Sequence, residues 1–134
     1  MAWFLDTNVC IQHWRGQHPQ LSARWRQHQA KEVCVPLTVY AELLVGAEKS
    51  SQPDRVLQQI ETLLEAHEII EITDIVAEYY ARIRADLERR GVIIGGNDLW
   101  IAATALAHGA TLVSANIGEF SRIPDLATEN WLQI

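Results

Sequence analysis

Trp3-Phe4-Leu5-Asp6-Thr7-Asn8 sets three apolar residues directly against three helix-capping residue types. An apolar run that short, halted by Asp, Thr and Asn, predicts a buried strand feeding the N-terminus of a helix. The same unit recurs along the chain. Val33-Cys34-Val35 stops at Pro36, Glu68-Ile69-Ile70-Glu71-Ile72 runs into Thr73, and Thr111-Leu112-Val113 follows Gly109. Between these runs lie helical stretches: Val9 to Trp14, Gln20 to Gln29 after Pro19, Val39 to Lys49 with Thr38 as cap, and Pro53 to about His67. Another is capped by Thr73, reaches Arg90 and closes at Gly91; the last, Asp98 to His108, is entered through Gly95-Gly96-Asn97 and closed by Gly109. Ala127-Thr128 begins a fifth strand. Short β-branched runs alternating with helices, without hairpin signals, predict an α/β fold: a single domain over 1–134 with a parallel four- or five-stranded sheet flanked by helices.

Composition agrees. A chain of 134 residues, 49% hydrophobic and 21% charged, is long enough to build one core without covalent staples. Its two cysteines, Cys10 and Cys34, make no disulfide framework and no zinc spacing, and read as small buried side chains. Met1 to Asp6 lacks a basic leader, and the longest nearly apolar run, Leu99 to Ala107, is about half the length a membrane span needs. The expectation is a cytoplasmic protein that does not enter membranes.

The net charge of −6 excludes a broad surface for wrapping nucleic acid. The imbalance is local, however: Glu61, Glu65, Glu68, Glu71, Asp74 and Glu78 stand in one stretch with no Lys or Arg. Elsewhere Arg15, Arg24, Arg26 and Lys31 face only Glu32, with Trp14 and Trp25 interleaved, and Arg82, Arg84, Arg89 and Arg90 form a second basic cluster. Either cluster reads equally well as a phosphate-facing patch or as a solvated helix face.

In parallel sheets, ligands bind beyond the carboxyl ends of the strands. Asp6 follows the first strand directly, Glu42 lies one turn into the helix after the second, Asp98 opens the helix before the fourth, and Asn116 and Glu119 follow that strand. Each has an ordinary explanation alone: Asp6 as an N-cap, Glu42 as a boundary glutamate beside Gly46, Asp98 as a first-turn carboxylate next to an Asn97 cap. Together they would repel one another strongly in a confined site, and a divalent cation is the usual resolution. A carboxylate-rich, all-oxygen set suits Mg2+ or Mn2+, whereas His13, His18 and His28 form no ligand spacing and read as surface residues. An acidic pocket for Mg2+ points to metal-assisted hydrolysis of a phosphate ester.

Four blocks stand in order: Leu5-Asp6-Thr7-Asn8-Val9-Cys10-Ile11, Ala41-Glu42-Leu43-Leu44-Val45-Gly46, Ile94-Gly95-Gly96-Asn97-Asp98-Leu99-Trp100-Ile101-Ala102-Ala103, and Leu112-Val113-Ser114-Ala115-Asn116-Ile117-Gly118-Glu119-Phe120. With them the chain resembles the PIN-domain ribonucleases, specifically the VapC toxins of toxin–antitoxin pairs, and most of all the members that cut initiator tRNA. The resemblance implies an acidic triad of Asp6, Glu42 and Asp98, with Asp6 and Asp98 as direct Mg2+ ligands and Glu119 at the family's fourth acidic position. Many relatives carry a further carboxylate where this chain has Asn116, and commonly Thr in place of Ser114. Thr7, Asn8, Ser114 and Asn116 would support the carboxylates. The resemblance also implies endonucleolytic RNA cleavage leaving a 5′-phosphate, with Trp14 to Lys31 along the RNA, although core packing accounts better for either tryptophan taken singly. It implies a VapB-like antitoxin that contacts DNA on the pair's behalf and sends an Arg or Lys into the acidic pocket. It further implies a homodimer, placed on the apolar helix surface around Val39 to Leu44.

Other readings fare worse. A phosphoaspartyl enzyme of the haloacid-dehalogenase type expects Asp-x-Asp where Asp6-Thr7-Asn8 stands, and a late lysine, whereas the only lysines are Lys31 and Lys49. No Gly-rich phosphate loop follows the first strand. A non-catalytic PIN-like scaffold is the alternative from another class, and it gives no reason to keep a costly acidic cluster.

Overall fold

The computed structural model describes residues 1–133. Five strands, β1 (Trp3–Leu5), β2 (Val33–Pro36), β3 (Ile69–Ile70), β4 (Thr111–Val113) and β5 (Thr128–Glu129), form one sheet in the order β3-β2-β1-β4-β5. Every pairing is parallel, with Trp3 opposite both Val33 and Thr111, and Phe4 opposite Cys34 and Leu112. The helices are α1 (Thr7–Arg15), α2 (Pro19–Arg26), α3 (Leu37–Lys49), α4 (Pro53–Ala66), α5 (Asp74–Arg89), α6 (Gly96–His108) and the short α7 (Ile117–Phe120).

The three central strands, β1, β2 and β4, are covered on both faces. Phe4, Leu5, Val33, Val35, Leu112 and Val113 are each at most 1% exposed. Burying side chains of this size stabilises the fold by roughly 1.5–3 kcal/mol each. Behind them α6 packs an almost unbroken apolar face, Ile101, Ala102, Ala103 and Ala105, and its alanines let it lie close to the sheet. Cys10 and Cys34 are buried free thiols, as composition predicts; burial next to Asp6 pushes the Cys10 thiol up to about 12, so it remains an apolar filler. No helix among the described residues is long and apolar enough to cross a membrane.

Several local expectations change. Thr38 does not cap α3: the helix leaves β2 at once, with Pro36 in the cap position, and Thr38 sits buried in the first turn. Asn97 does not cap α6 either, because Gly95 takes that place and Asn97 is exposed within the helix. Thr73 does cap α5, accepting a hydrogen bond from the Val76 amide. Gly16 and Gly109 end α1 and α6 in the left-handed conformation, where a side chain would be strained. The third strand shrinks to Ile69–Ile70, since Glu68, Glu71 and Ile72 lie at an exposed edge. Val39 and Leu43 are 0% and 2% exposed, so they belong to the core and not to a dimer face; of the apolar residues of α3, Leu37 and Val45 are exposed and Tyr40 and Leu44 half-buried.

Candidate active site

The four acidic residues come from four different elements and meet beyond the carboxyl ends of β1 and β4. Asp6 ends β1 and caps α1: its Oδ1 accepts from the Thr7 amide at 2.8 Å, which serves the helix. Its second oxygen is committed separately, accepting from Ser114 Oγ at 2.7 Å. Ser114 is fully buried after β4, and its hydroxyl is aimed because it also accepts from the Asn116 amide at 2.9 Å. N-cap and site residue are therefore one and the same side chain, using different oxygens.

Thr7 joins the next carboxylate, its hydroxyl donating to Glu42 Oε1 at 2.6 Å across from α3. On the other side, Asn116 Nδ2 donates to Glu119 Oε2 at 2.8 Å, and Glu119 in turn accepts a hydrogen bond from the carboxyl of Asp98. Thr7, Ser114 and Asn116 thus tie all four acidic groups into one network. Asn8 is exposed and takes no part in it.

No basic side chain offsets the charge at Asp6 or Asp98. Burial is the main cause that holds Asp6 above the usual carboxylate range, with Glu42 adding to it, while Ser114 and Thr7 pull the other way. Asp98 is raised to about 7, first by desolvation, then by its bond to Glu119 and by the charges of Asp6, Glu119 and Glu42. The shared proton stays on Asp98. Glu119 is held below its ordinary value chiefly by the Asn116 amide, with the Asp98 hydrogen bond and Arg122 helping.

As they stand, no three His, Cys, Asp or Glu side chains among the described residues form a ready-made ligand cage. The chemistry of the donor set nevertheless fits a hard divalent cation: four carboxyl groups, every neighbouring charge felt by Asp98 negative, and a proton kept near neutral pH where a cation would serve better. Replacing the Asp98 proton with a cation relieves the same repulsion.

This geometry separates the roles of Asn116 and Glu119. Asn116 orients Ser114 through its backbone and Glu119 through its side chain, whereas Glu119 carries the charge. Glu119→Gln should therefore lose more activity than Asn116→Ala, because the alanine variant keeps the amide that aims Ser114. Steady-state cleavage rates of the two variants check this, and the reverse order would give the strand-end position the larger role.

The basic clusters mostly resolve into structure. Arg24 binds the Asn130 carbonyl at 2.9 Å and approaches Glu129 at 3.6 Å. Trp25 is 7% exposed, stacks on His13 and donates to His67 at 3.2 Å. His28 is packed between Trp3 and Trp131, so neither it nor His13 is a free surface residue. On α5, Arg84 pairs with Glu88, Arg90 with Asp86, and Arg82 lies over Tyr79, which is a solvated helix face. These assignments need long-range contacts that local spacing does not carry.

The PIN domain family model matches residues 3–126. Ribonuclease VapC2 of Rickettsia felis is 39% identical, the match covering 98% of both chains. The tRNA(fMet)-specific endonuclease VapC of Shigella flexneri is 34% identical with the same coverage. Among solved structures, VapBC2 from Rickettsia felis bound to a DNA fragment from its promoter superposes with a TM-score of 0.91 at 37% identity, covering 98% of this chain and 99% of that one.

Proposed function

The chain belongs to the PIN-domain family, and from that premise we propose that it is a Mg2+-dependent endoribonuclease, the toxin of a toxin–antitoxin pair. The observation that carries the chemistry is the hydrogen-bonded network that brings Asp6, Glu42, Asp98 and Glu119 together around the buried Asp6, with the Asp98 carboxyl raised to about 7. Full-length relatives named as ribonucleases support RNA as the substrate, and one named for tRNA(fMet) favours initiator tRNA.

Asp6 and Asp98 would hold the cation, with Mn2+ able to replace Mg2+. The bound ion would supply Lewis acidity towards a phosphate oxygen and a lower pKa for water. The protein's own residues do the positioning. Ser114 and the Thr7 amide fix both oxygens of Asp6, so its carboxylate needs no reorganisation to receive charge. Thr7 holds Glu42, and Asn116 holds Glu119, at the two sides of the site, where each carboxylate can orient an attacking water or take its proton. Hydrolysis then leaves the 5′-phosphate.

The partner follows from the same premise. The VapBC complex of Rickettsia felis supports a VapB-like antitoxin, through which alone this acidic chain would reach DNA. An Arg or Lys of that partner suits an uncompensated acidic pocket. A homodimer would use the apolar α3 surface left outside the core, Leu37, Tyr40, Leu44 and Val45.

The test is cleavage of tRNA(fMet) by the purified chain with Mg2+, with EDTA, and with the product of the neighbouring gene. Cleavage is expected only in the first condition. A chain inactive with either Mg2+ or Mn2+, yet still bound by the neighbouring gene product, would favour the non-catalytic scaffold.

A further inference from the structure

Glu129-Asn130-Trp131 includes a carboxylate that the acidic network does not use. Side chains from three places converge on it. The Trp131 indole N–H donates to Glu129 Oε1 at 2.9 Å, the Trp3 indole N–H donates to Oε2 at 3.4 Å, and the Arg24 guanidinium stands 3.6 Å from Oε1. Arg24 also donates to the Asn130 carbonyl at 2.9 Å, and Gln20 donates to the Leu132 carbonyl at 2.8 Å. His28 packs between the Trp3 and Trp131 rings, and Trp131 is fully buried. These contacts secure an element that has little else to hold it. β5 is two residues long and lies at the sheet edge, paired with β4 alone. That is far short of an ordinary strand, so its place is set by the side chains of β1 and α2 more than by its own ladder.

The last bond of that ladder reaches the site. The Ser114 amide donates to the Glu129 carbonyl at 3.0 Å, while Ser114 Oγ donates to Asp6 Oδ2 at 2.7 Å and accepts from the Asn116 amide at 2.9 Å. We propose that Glu129 is a positioning residue for metal binding: its carboxylate, held by Trp131, Trp3 and Arg24, fixes the edge strand whose carbonyl aims Ser114 at Asp6. The proposal rests on the reading of Asp6 as a metal ligand. Two backbone bonds set the chain around Ser114. One, from the Asp6 amide to the Val113 carbonyl at 2.9 Å, joins β1 to β4 in the middle of the sheet; the other is the bond to Glu129 at its edge. The edge bond is the one that yields when the side chains around Glu129 are removed. An O–H···O bond weakens steeply once stretched beyond about 3.0 Å, so a small displacement of the buried Ser114 is enough to release Asp6 Oδ2. Unlike Asp6 and Asp98, Glu129 has a basic neighbour in Arg24. It therefore serves the site without joining the acidic set.

The test compares Glu129→Ala, Glu129→Gln and Arg24→Gln, each alone and in a Ser114→Ala background. Mn2+ binding is read by calorimetry, and the Mg2+ dependence of RNA cleavage is read alongside. Glu129→Ala should weaken Mn2+ binding about tenfold and raise the Mg2+ needed for half-maximal cleavage by a similar factor, the size expected of a group that supports a ligand. The KM for RNA should not move. Glu129→Gln keeps an acceptor for the Trp131 indole and should recover most of the loss. Arg24→Gln leaves the Glu129 carboxylate in place and should shift Mn2+ binding less, in the same direction; it carries the test if the alanine variant does not fold. In the Ser114→Ala background none of the three should add more than about twofold, because the path to Asp6 is already cut. Variants that melt earlier yet bind Mn2+ as the unaltered chain does would overturn the proposal. So would losses that add in full to that of Ser114→Ala. The expected pattern of Mn2+ binding in a chain that cuts no RNA would leave this proposal standing and defeat the ribonuclease reading.

Discussion

Asp98→Asn is expected to remove Mg2+-stimulated RNA cleavage by more than about 100-fold and to abolish growth toxicity, while the metal-free protein becomes more heat-stable at neutral pH. Loss of a group that merely supports a ligand typically costs 10–100-fold, so loss of a direct ligand should exceed that range. The stability gain has the opposite sign because Asp98 is strained by its surroundings. Its carboxyl is raised from 3.8 to about 7 in the folded chain, mainly by desolvation and by the three other carboxylates. The folded state therefore binds the extra proton between these two values. The stability contributed by the protonated group is fully present below about 4 and is lost as pH rises through about 7. Melting temperatures in EDTA should fall from pH 5 to pH 8 for the native chain and fall less for Asp98→Asn. Mg2+ should raise the melting temperature of the native chain at pH 8 and leave the variant unmoved. An active Asp98→Asn protein, or one destabilised at pH 8, would defeat the ligand assignment.

Ser114→Ala is expected to lower cleavage by about 10–100-fold, chiefly through Asp6. The hydroxyl is the donor to Asp6 Oδ2 and the acceptor for the Asn116 amide, and the residue is fully buried. Without it, Asp6 keeps only the Thr7 amide, and its carboxyl, already raised by burial, moves further up. The activity profile should shift towards higher pH, and more Mg2+ should be needed for half-maximal rate. Ser114→Thr, which restores the hydroxyl, should recover most of the loss. An alanine variant with unchanged Mg2+ dependence would show that Asp6 is positioned by other means.

The sequence by itself determined the framework. Strand–cap–helix units such as Trp3 to Asn8 are local, because an apolar β-branched or aromatic run and a capping side chain act over a few residues. The parallel sheet, the burial of Cys10 and the placing of Asp6, Glu42, Asp98 and Glu119 near element ends were therefore within reach of spacing and family resemblance, whereas the strand order β3-β2-β1-β4-β5 was not. The tertiary structure alone decided what these side chains do to one another. Thr7 reaching Glu42, Ser114 reaching Asp6 over 108 positions, and Asp98 sharing a proton with Glu119 all depend on distances that the folded sheet sets. It also sorted the arginines, tying Arg24 to Glu129 and setting Arg15 and Arg55, from separate helices, on the wall of one cavity. Charge on a sequence is additive and local. Desolvation and hydrogen bonding are not, and they turn four ordinary carboxylates into one coupled site.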